Sequence, residues 1–265
     1  MPLVDPVTMA GDSSTAQVSK MALPIEILST PTARTVTHIH PVILLSAYYV
    51  LFPHLVADPV STLFITLPAL AIAQIAYVAC SLPVAKGNKA SKKSQKTKPG
   101  VAKKASESHS LPILVSHNHN LQSHRSFAKT SQDIIVSLAA SLLSVPALTV
   151  LQVFFGAPLT THLLHTTLTS AHIALLAVFP LLYVHGFSTP KWIEIISAQC
   201  PADEVFGGAV GAFVGAWLGA IPIPLDWDRE WQKWPVTIIS GAYAGYVAGK
   251  ILGGYVFKGK KVDLD

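Results

Sequence analysis

Two glycine-rich stretches near the C-terminus decide the fold of this chain: VFGGAVGAFVGAWLG at residues 205–219 and GAYAGYVAGKILG at residues 241–253. Each carries four glycines at strict four-residue spacing: Gly207, Gly211, Gly215 and Gly219, then Gly241, Gly245, Gly249 and Gly253. A glycine inside a helix costs about 1 kcal/mol relative to alanine, so both runs require a compensating contact. In a lipid bilayer, small residues at this spacing let two helix backbones approach closely. The pattern predicts a tightly packed glycine-zipper hairpin of two membrane spans.

The overall composition is that of an integral membrane protein. Of the 265 residues, 51% are hydrophobic and 12% are charged, whereas soluble domains usually carry about 25% charged residues. The mean hydropathy is +0.47. The net charge of +5 is not a nucleic-acid signature, because most of the excess lysines lie in one loop at residues 83–130. Such a loop reports membrane topology, and no nucleic-acid partner is expected.

The distribution of apolar residues predicts an all-α protein with about six transmembrane helices. A span needs about 20 predominantly apolar residues, and six segments qualify: 41–57, 59–82, 134–155, 159–184, 205–221 and 235–257. We therefore expect a six-helix transmembrane domain over residues 38–257. Residues 1–37 are predicted to be a disordered N-terminal extension, residues 83–130 a disordered cytosolic insert, and residues 258–265 a cytosolic tail.

The positive charges predict the orientation of the spans. The lysine-rich insert and the tail that carries Lys258, Lys260 and Lys261 are separated by an even number of crossings, so they lie on the same side. The positive-inside rule assigns that side to the cytosol, together with both termini. The link at residues 222–234 then faces the opposite compartment. Lys250, in the last third of the sixth span, is expected to extend its ammonium to the cytosolic interface.

Three tryptophans in the 222–234 link share a helical spacing. Trp227, Trp231 and Trp234 stand at i, i+4 and i+7, which predicts an interfacial amphipathic half-helix with the indole rings at headgroup level. In the plainest interpretation the tryptophans anchor the hairpin in the membrane surface. The charged residues on the other side of the half-helix would then face the lumen.

The charged edge of the same link allows two further interpretations. Asp226, Asp228 and Arg229 would contact a phosphorylated lipid or a loop of a partner, because arginine suits bidentate phosphate recognition. Alternatively, the two aspartates would hold a divalent cation, although two carboxylates are a thin ligand set. We expect no metal site, no cofactor and no catalytic residue, since the sequence lacks a nucleophile motif, a phosphate loop or a metalloprotease motif.

The fourth predicted span contains three histidines on one helix face. His162, His165 and His172 fall within an arc of about 80° and are expected to face something other than lipid. Intramembrane ionisable groups are functional candidates. Interhelical hydrogen bonding, contact with a lipid headgroup, a proton-transfer role and metal binding all remain open for this set.

The C-terminal sequence resembles one known family. The string GAWLGAIPIPLDWDR at residues 215–229, followed by Trp231-Gln232, Trp234-Pro235, Gly241, Gly245, Tyr246 and Gly249, resembles the PIG-F family over residues 205–255. A proline would be expected where this chain has Glu230. The resemblance implies a small polytopic protein of the endoplasmic reticulum that acts in glycosylphosphatidylinositol (GPI) anchor biosynthesis. It also implies a non-catalytic partner of the ethanolamine-phosphate transferases.

We therefore expect an accessory subunit that binds and stabilises these transferases, between GlcNAc-PI synthesis and GPI transfer to protein. The alternative is a lipid-handling enzyme or carrier that acts directly on GPI precursors, which are also candidate ligands of the accessory subunit. The candidates for partner or lipid contact are Pro222, Pro224, Asp226, Trp227, Asp228, Arg229, Trp231, Trp234, His162, His165 and His172.

Overall fold

The computed structural model describes residues 23–85, 129–225 and 227–261, and the regular structure in these ranges is entirely helical. The prediction of an all-α fold is confirmed. The helices in chain order are α1 (Pro31–Ala57), α2 (Pro59–Ser81), α3 (Lys129–Phe154), α4 (Leu163–His185), α5 (Thr189–Ile196), α6 (Glu204–Leu218) and α7 (Val236–Ile251). A π-helical turn, Ala174–Val178, interrupts α4, and another, Leu252–Val256, extends α7.

Four of these helices are long and apolar enough to cross a membrane. They are α1 to α4, with 23 to 27 residues each. Helix α6 is apolar but has only 15 residues, and the chain then continues through turns. The polytopic membrane class is thus confirmed, whereas the number of six crossings stays a prediction.

Helix α1 begins earlier than expected. The first span was predicted from residue 41, but the helix starts at Pro31, where the Thr30 hydroxyl accepts a hydrogen bond from the backbone N–H of Ala33. A threonine N-cap followed by proline is a favourable helix start. Residues 31–37, predicted to belong to a disordered extension, are therefore helical. The rest of that prediction lies largely outside the described residues, and so does most of the 83–130 insert.

Asp58 joins α1 and α2 as a hairpin. It is the C-cap of α1 and the N-cap of α2, and its carboxylate accepts a hydrogen bond from Ser61 N–H at 3.1 Å. The hydrogen bonds from Ser61 lower the pKa of Asp58. Because Pro59 opens the next helix directly, the chain reverses within a single residue.

Helix α4 occupies the centre of the bundle. Of its membrane-length window 89% is buried, against 17–28% for α1, α2 and α3. Leu176, Ala177 and Phe179 are fully buried there. Helix α4 contacts α2, α3, α6 and α7, so the C-terminal hairpin packs onto a helix that the rest of the bundle encloses.

Candidate functional site

The backbones of α6 and α7 lie in direct contact along both glycine runs. A Cβ atom built on Gly211 would lie 2.1 Å from the carbonyl oxygen of Gly245, and one built on Gly245 would lie 2.1 Å from that of Gly211. Real Cβ atoms essentially never approach a heavy atom within 3.0 Å. The same reciprocal relation joins Gly207 with Gly249 and Gly215 with Gly241, while Gly219 faces Thr237 and Gly253 faces Asp203. No side chain larger than hydrogen fits at these positions, because the obstructing atoms belong to the backbone.

Asp203 closes one end of this hairpin. Its Oδ1 accepts hydrogen bonds from the N–H groups of Val205 and Phe206, and its Oδ2 accepts one from Ile25 N–H at 3.0 Å. The side chain is buried, which raises the pKa of the carboxyl, while the N–H donors oppose that shift. Asp203 therefore caps α6 and ties the segment before α1 to the hairpin.

The described residues of the link at the other end form no amphipathic half-helix, so that prediction is wrong. Their regular structure is one 3₁₀ turn, Glu230–Gln232. Prolines 222 and 224 remove backbone donors, and Asp228 has a φ of 48°, in the left-handed region. Such a residue interrupts a right-handed helix. Asp226 lies outside the described residues, so its role in the link stays a prediction.

The tryptophan stripe is split by this loop geometry. The rings of Trp227 and Trp231 pack with their centroids 5.9 Å apart, and Trp227 is 54% exposed. Trp234 instead packs inward, against the cluster that contains Ala216 and Ile238. Trp231 is also half-buried, against the main core cluster, so Trp231 and Trp234 both attach the loop to the bundle and Trp227 is the exposed one of the three.

Gln232, which sequence reasoning did not single out, holds the loop together. Its Nε2 donates to the carbonyl oxygens of Pro222 at 2.8 Å and Leu225 at 2.6 Å. Its Oε1 accepts from Arg229 N–H at 3.0 Å. The side chain is 8% exposed, so these bonds are shielded from solvent. The only hint in the sequence was the position of Gln232 between two tryptophans.

The three histidines do not form one site. Helix α4 begins at Leu163, so His162 precedes the helix, and the prediction of a shared helix face fails for it. His162 and His165 lie at the surface with ring centroids 5.0 Å apart. His172 is fully buried, with Nδ1 2.9 Å from Leu168 O and Nε2 3.2 Å from Thr66 Oγ1. The contacts of His172 are those of hydrogen bonding between helices.

Lys250 does not extend to the interface, contrary to expectation. It is 3% exposed, with Nζ 3.8 Å from Glu204 Oε2 and 3.5 Å from the centroid of the Tyr77 ring. The Tyr77 hydroxyl donates to the same Glu204 oxygen at 3.5 Å. His40 stacks on Tyr77 with centroids 4.6 Å apart. A buried polar cluster from α1, α2, α6 and α7 therefore surrounds one ion pair.

An open apolar groove of about 900 Å³ adjoins the 222–234 link. Trp217, Pro224 and Trp234 line it from the hairpin, and Gln152 and Phe155 line it from the end of α3. The indole N–H of Trp234 and the amide oxygen of Gln152 are buried, and neither has a hydrogen-bond partner within the described ranges. The groove is therefore apolar with two unsatisfied polar atoms at its wall.

Comparisons with known proteins place these features in a family. The sequence model described as "GPI biosynthesis protein family Pig-F" matches residues 39–254. No solved structure matches. The chain is 41% identical over 290 residues to glycosylphosphatidylinositol anchor biosynthesis protein 11 of Neurospora crassa. This alignment covers 98% of this chain and 100% of the relative.

Two further relatives extend the comparison. The protein of the same name from Aspergillus fumigatus is 40% identical over 265 residues, covering 93% of this chain and 89% of the relative. A human protein named "GPI ethanolamine phosphate transferase, stabilizing subunit" is 36% identical over 115 residues, covering 42% of this chain and 52% of the relative. With a family match that spans most of its length and relatives aligned almost end to end, this chain belongs to the PIG-F family.

Proposed function

We propose that this chain is a non-catalytic subunit that binds and stabilises the ethanolamine-phosphate transferases of GPI-anchor biosynthesis in the endoplasmic reticulum membrane. The observation that carries the proposal is the sequence identity, 36% over 115 residues, between this chain and the human relative that is named as the stabilizing subunit of such a transferase. The family description and the names of the fungal relatives support the same pathway. Both termini face the cytosol in this proposal, and the 222–234 link faces the lumen.

The hairpin provides a rigid support for a docking surface. At the facing glycines, such as Gly211 and Gly245, backbone meets backbone, so no side-chain rotamer can adjust at these positions. Gln232 then fixes the loop at the end of the hairpin through hydrogen bonds to the loop backbone. A surface held in this way loses little conformational entropy when it binds a partner.

The apolar groove beside the loop is the proposed seat of a transmembrane helix of the transferase. Its lining includes large exposed side chains, with Trp217 61% and Phe155 69% exposed. Lipid tails cannot satisfy the free N–H of Trp234 or the free oxygen of Gln152, whereas a polar side chain on a partner helix can. Arg229 and the exposed ring of Trp227 extend this surface towards the lumenal domain of the partner.

Paired variants at neighbouring positions test the docking surface. Phe155 lines the groove, whereas Phe154 does not and is 84% exposed. Both can be changed to alanine without opening the core. We expect Phe155→Ala, combined with Trp217→Ala, to reduce co-purification of the transferase from mild detergent and to lower its abundance in cells. Phe154→Ala should leave both unchanged.

Two results would overturn the proposal. One is recovery of this chain without any transferase, together with unchanged transferase levels when the chain is deleted. The other is modification or translocation of a GPI precursor by the purified chain alone, which would favour the lipid-handling enzyme or carrier. Mass spectrometry of the same preparation also reports whether a GPI lipid accompanies the chain.

A further inference from the structure

A second cleft lies at the opposite end of the bundle from the 222–234 link. It has a volume of about 300 Å³ and opens between the start of α1 and the paired ends of α6 and α7. Polar residues, among them Thr37, Glu204 and Lys250, line it together with apolar residues of α1 and α7. A volume of this size lies at the lower limit of ordinary ligand sites.

The lining changes from polar to apolar along the helix axes. Contacts of His38 with Tyr255 and of Tyr48 with Tyr243 show that α1 and α7 run antiparallel. The polar residues Thr37 and His38 therefore lie at the same end as Tyr255, near the end of the bundle. Pro41, Val42 and Leu45 follow deeper along α1, opposite Val247. This order matches a phospholipid, with its headgroup at the surface and its acyl chains along the helices.

The cleft opens sideways towards the lipid. Val42 is 63% exposed, Ile251 47% and Tyr255 58%, so no other described part of the chain covers the outer wall, and in a bilayer these side chains would meet lipid. His38 is exposed, and its Nδ1 lies 3.3 Å from the Tyr255 hydroxyl at the rim. A lipid can therefore enter from the bilayer without passing through the protein core.

The inner wall contains two polar side chains without a hydrogen-bond partner among the described residues, Thr37 and Lys250, beside Glu204, which accepts one hydrogen bond from Tyr77. Thr37 and Lys250 are each 3% exposed, and neither Thr37 Oγ1 nor Lys250 Nζ has a hydrogen-bond partner among the described residues. Glu204 is 7% exposed and lies 3.8 Å from Lys250, beyond hydrogen-bond distance. Buried donors and acceptors are normally paired, so the wall lacks partners that a ligand could supply.

We propose that this cleft binds one phospholipid with a zwitterionic headgroup that carries a primary ammonium. The phosphate accepts hydrogen bonds from Lys250 and Thr37, and the ammonium donates to Glu204. One positive and one negative side chain match the headgroup charge for charge, whereas a purely anionic headgroup would meet the Glu204 carboxylate. A choline headgroup lacks N–H donors and cannot donate a hydrogen bond to Glu204. Phosphatidylethanolamine is the phospholipid whose headgroup has this chemistry. This lipid site does not depend on the proposed function.

Lipid exchange into nanodiscs of defined composition tests the assignment. The full chain is incorporated with equal amounts of phosphatidylethanolamine, phosphatidylcholine and phosphatidylglycerol, and native mass spectrometry counts the lipids that stay bound. We expect phosphatidylethanolamine to exceed each competitor by roughly tenfold, as one charge-assisted hydrogen bond would give. Equal retention of all three lipids, or a preference for phosphatidylglycerol, would overturn the proposal.

Variants distinguish the role of the cleft from that of the rest of the contact between α1 and α7. The double variant Glu204→Gln with Lys250→Met removes both charges, leaves no unpaired ion, and should lose the preference. Tyr48→Phe, in the same α1–α7 contact but outside the lining, should keep it. If the double variant does not fold, Thr37→Val is measured in its place, and we expect its preference for phosphatidylethanolamine to fall a few-fold. An unchanged preference in the folded double variant would refute the site. If only Thr37→Val can be measured, an unchanged preference in that variant would refute the site.

Discussion

The two sides of α7 are built on different principles. Towards α6, the helix presents glycines and touches backbone with backbone, as at Gly245 and Gly211. Towards α1 and α2, it presents Tyr243, Tyr246 and Lys250, which meet aromatic and polar side chains. The first contact joins neighbours in sequence and repeats every four residues, whereas the second joins distant segments and has no period. Regular spacing therefore reveals the first contact and hides the second.

The largest effect is expected on the glycine side. Gly245→Leu places a side chain where the Gly211 carbonyl oxygen lies 2.1 Å from the first added carbon. The backbone cannot yield locally, so we expect a loss of more than about 4 kcal/mol and almost no folded protein. Ala244→Leu is the matched control, because Ala244 is exposed on the same helix. Membrane abundance and thermal stability measure both, and normal levels for Gly245→Leu would contradict backbone contact.

On the polar side, the expected effect depends on whether one charge or both are removed. Lys250→Met leaves Glu204 buried without a counter-ion, which costs about 3 kcal/mol or more. Adding Glu204→Gln removes the stranded charge and should restore most of the stability. A double-mutant cycle by thermal unfolding in detergent measures the coupling. Strictly additive effects of the two substitutions would show that the residues do not interact.

The two sides of α7 also show which structural features the sequence alone could predict. The all-helical class followed from composition, and the glycine hairpin followed from the four-residue spacing, because both are visible within short stretches of the sequence. The contact of Lys250 with Glu204 and Tyr77 was missed because its members belong to different helices with no shared pattern. Lys250 was expected at the interface because a long flexible stem permits it, and only the three-dimensional packing shows the buried alternative.

Errors in the remaining helices have a similar origin. The histidine prediction assumed a helix from residue 159, but α4 starts at Leu163 and leaves His162 outside it. The half-helix at the tryptophans ignored the two prolines before Trp227, and helix α5 was overlooked because its eight residues are too few for a span. Helix ends depend on caps and on tertiary contacts, which apolar periodicity does not report.

A smaller effect is expected where the hairpin reverses. Gln232→Ala removes three hydrogen bonds to the backbone of the loop, at Pro222, Leu225 and Arg229. We expect a loss of about 1–3 kcal/mol and faster proteolysis within the loop. Lys233→Ala, which breaks only the exposed ion pair with Glu230, should change stability by less than about 1 kcal/mol. Equal proteolysis rates for the two variants would argue against Gln232 as the organiser of the loop.

The smallest effect is expected at the middle of the α1–α7 contact. The Tyr48 hydroxyl lies 2.5 Å from Ser240 Oγ, so Tyr48→Phe removes one hydrogen bond between the helices. The cost should be about 1 kcal/mol, seen as a modest drop in melting temperature. Tyr49→Phe provides the control, since Tyr49 is 80% exposed. A drop for Tyr49→Phe as large as that for Tyr48→Phe would remove the reason to assign a stabilising role to this bond.

Two glycine-lined helices in backbone contact hold a rigid loop against a partner in the function proposed here. Cryo-electron microscopy of the chain bound to a transferase in nanodiscs tests both parts of this arrangement. We expect the Gly211 and Gly245 backbones to touch, and a transferase helix to lie in the groove between Phe155 and Trp217. Glycine faces separated by lipid, or a transferase bound on a surface remote from this groove, would contradict it.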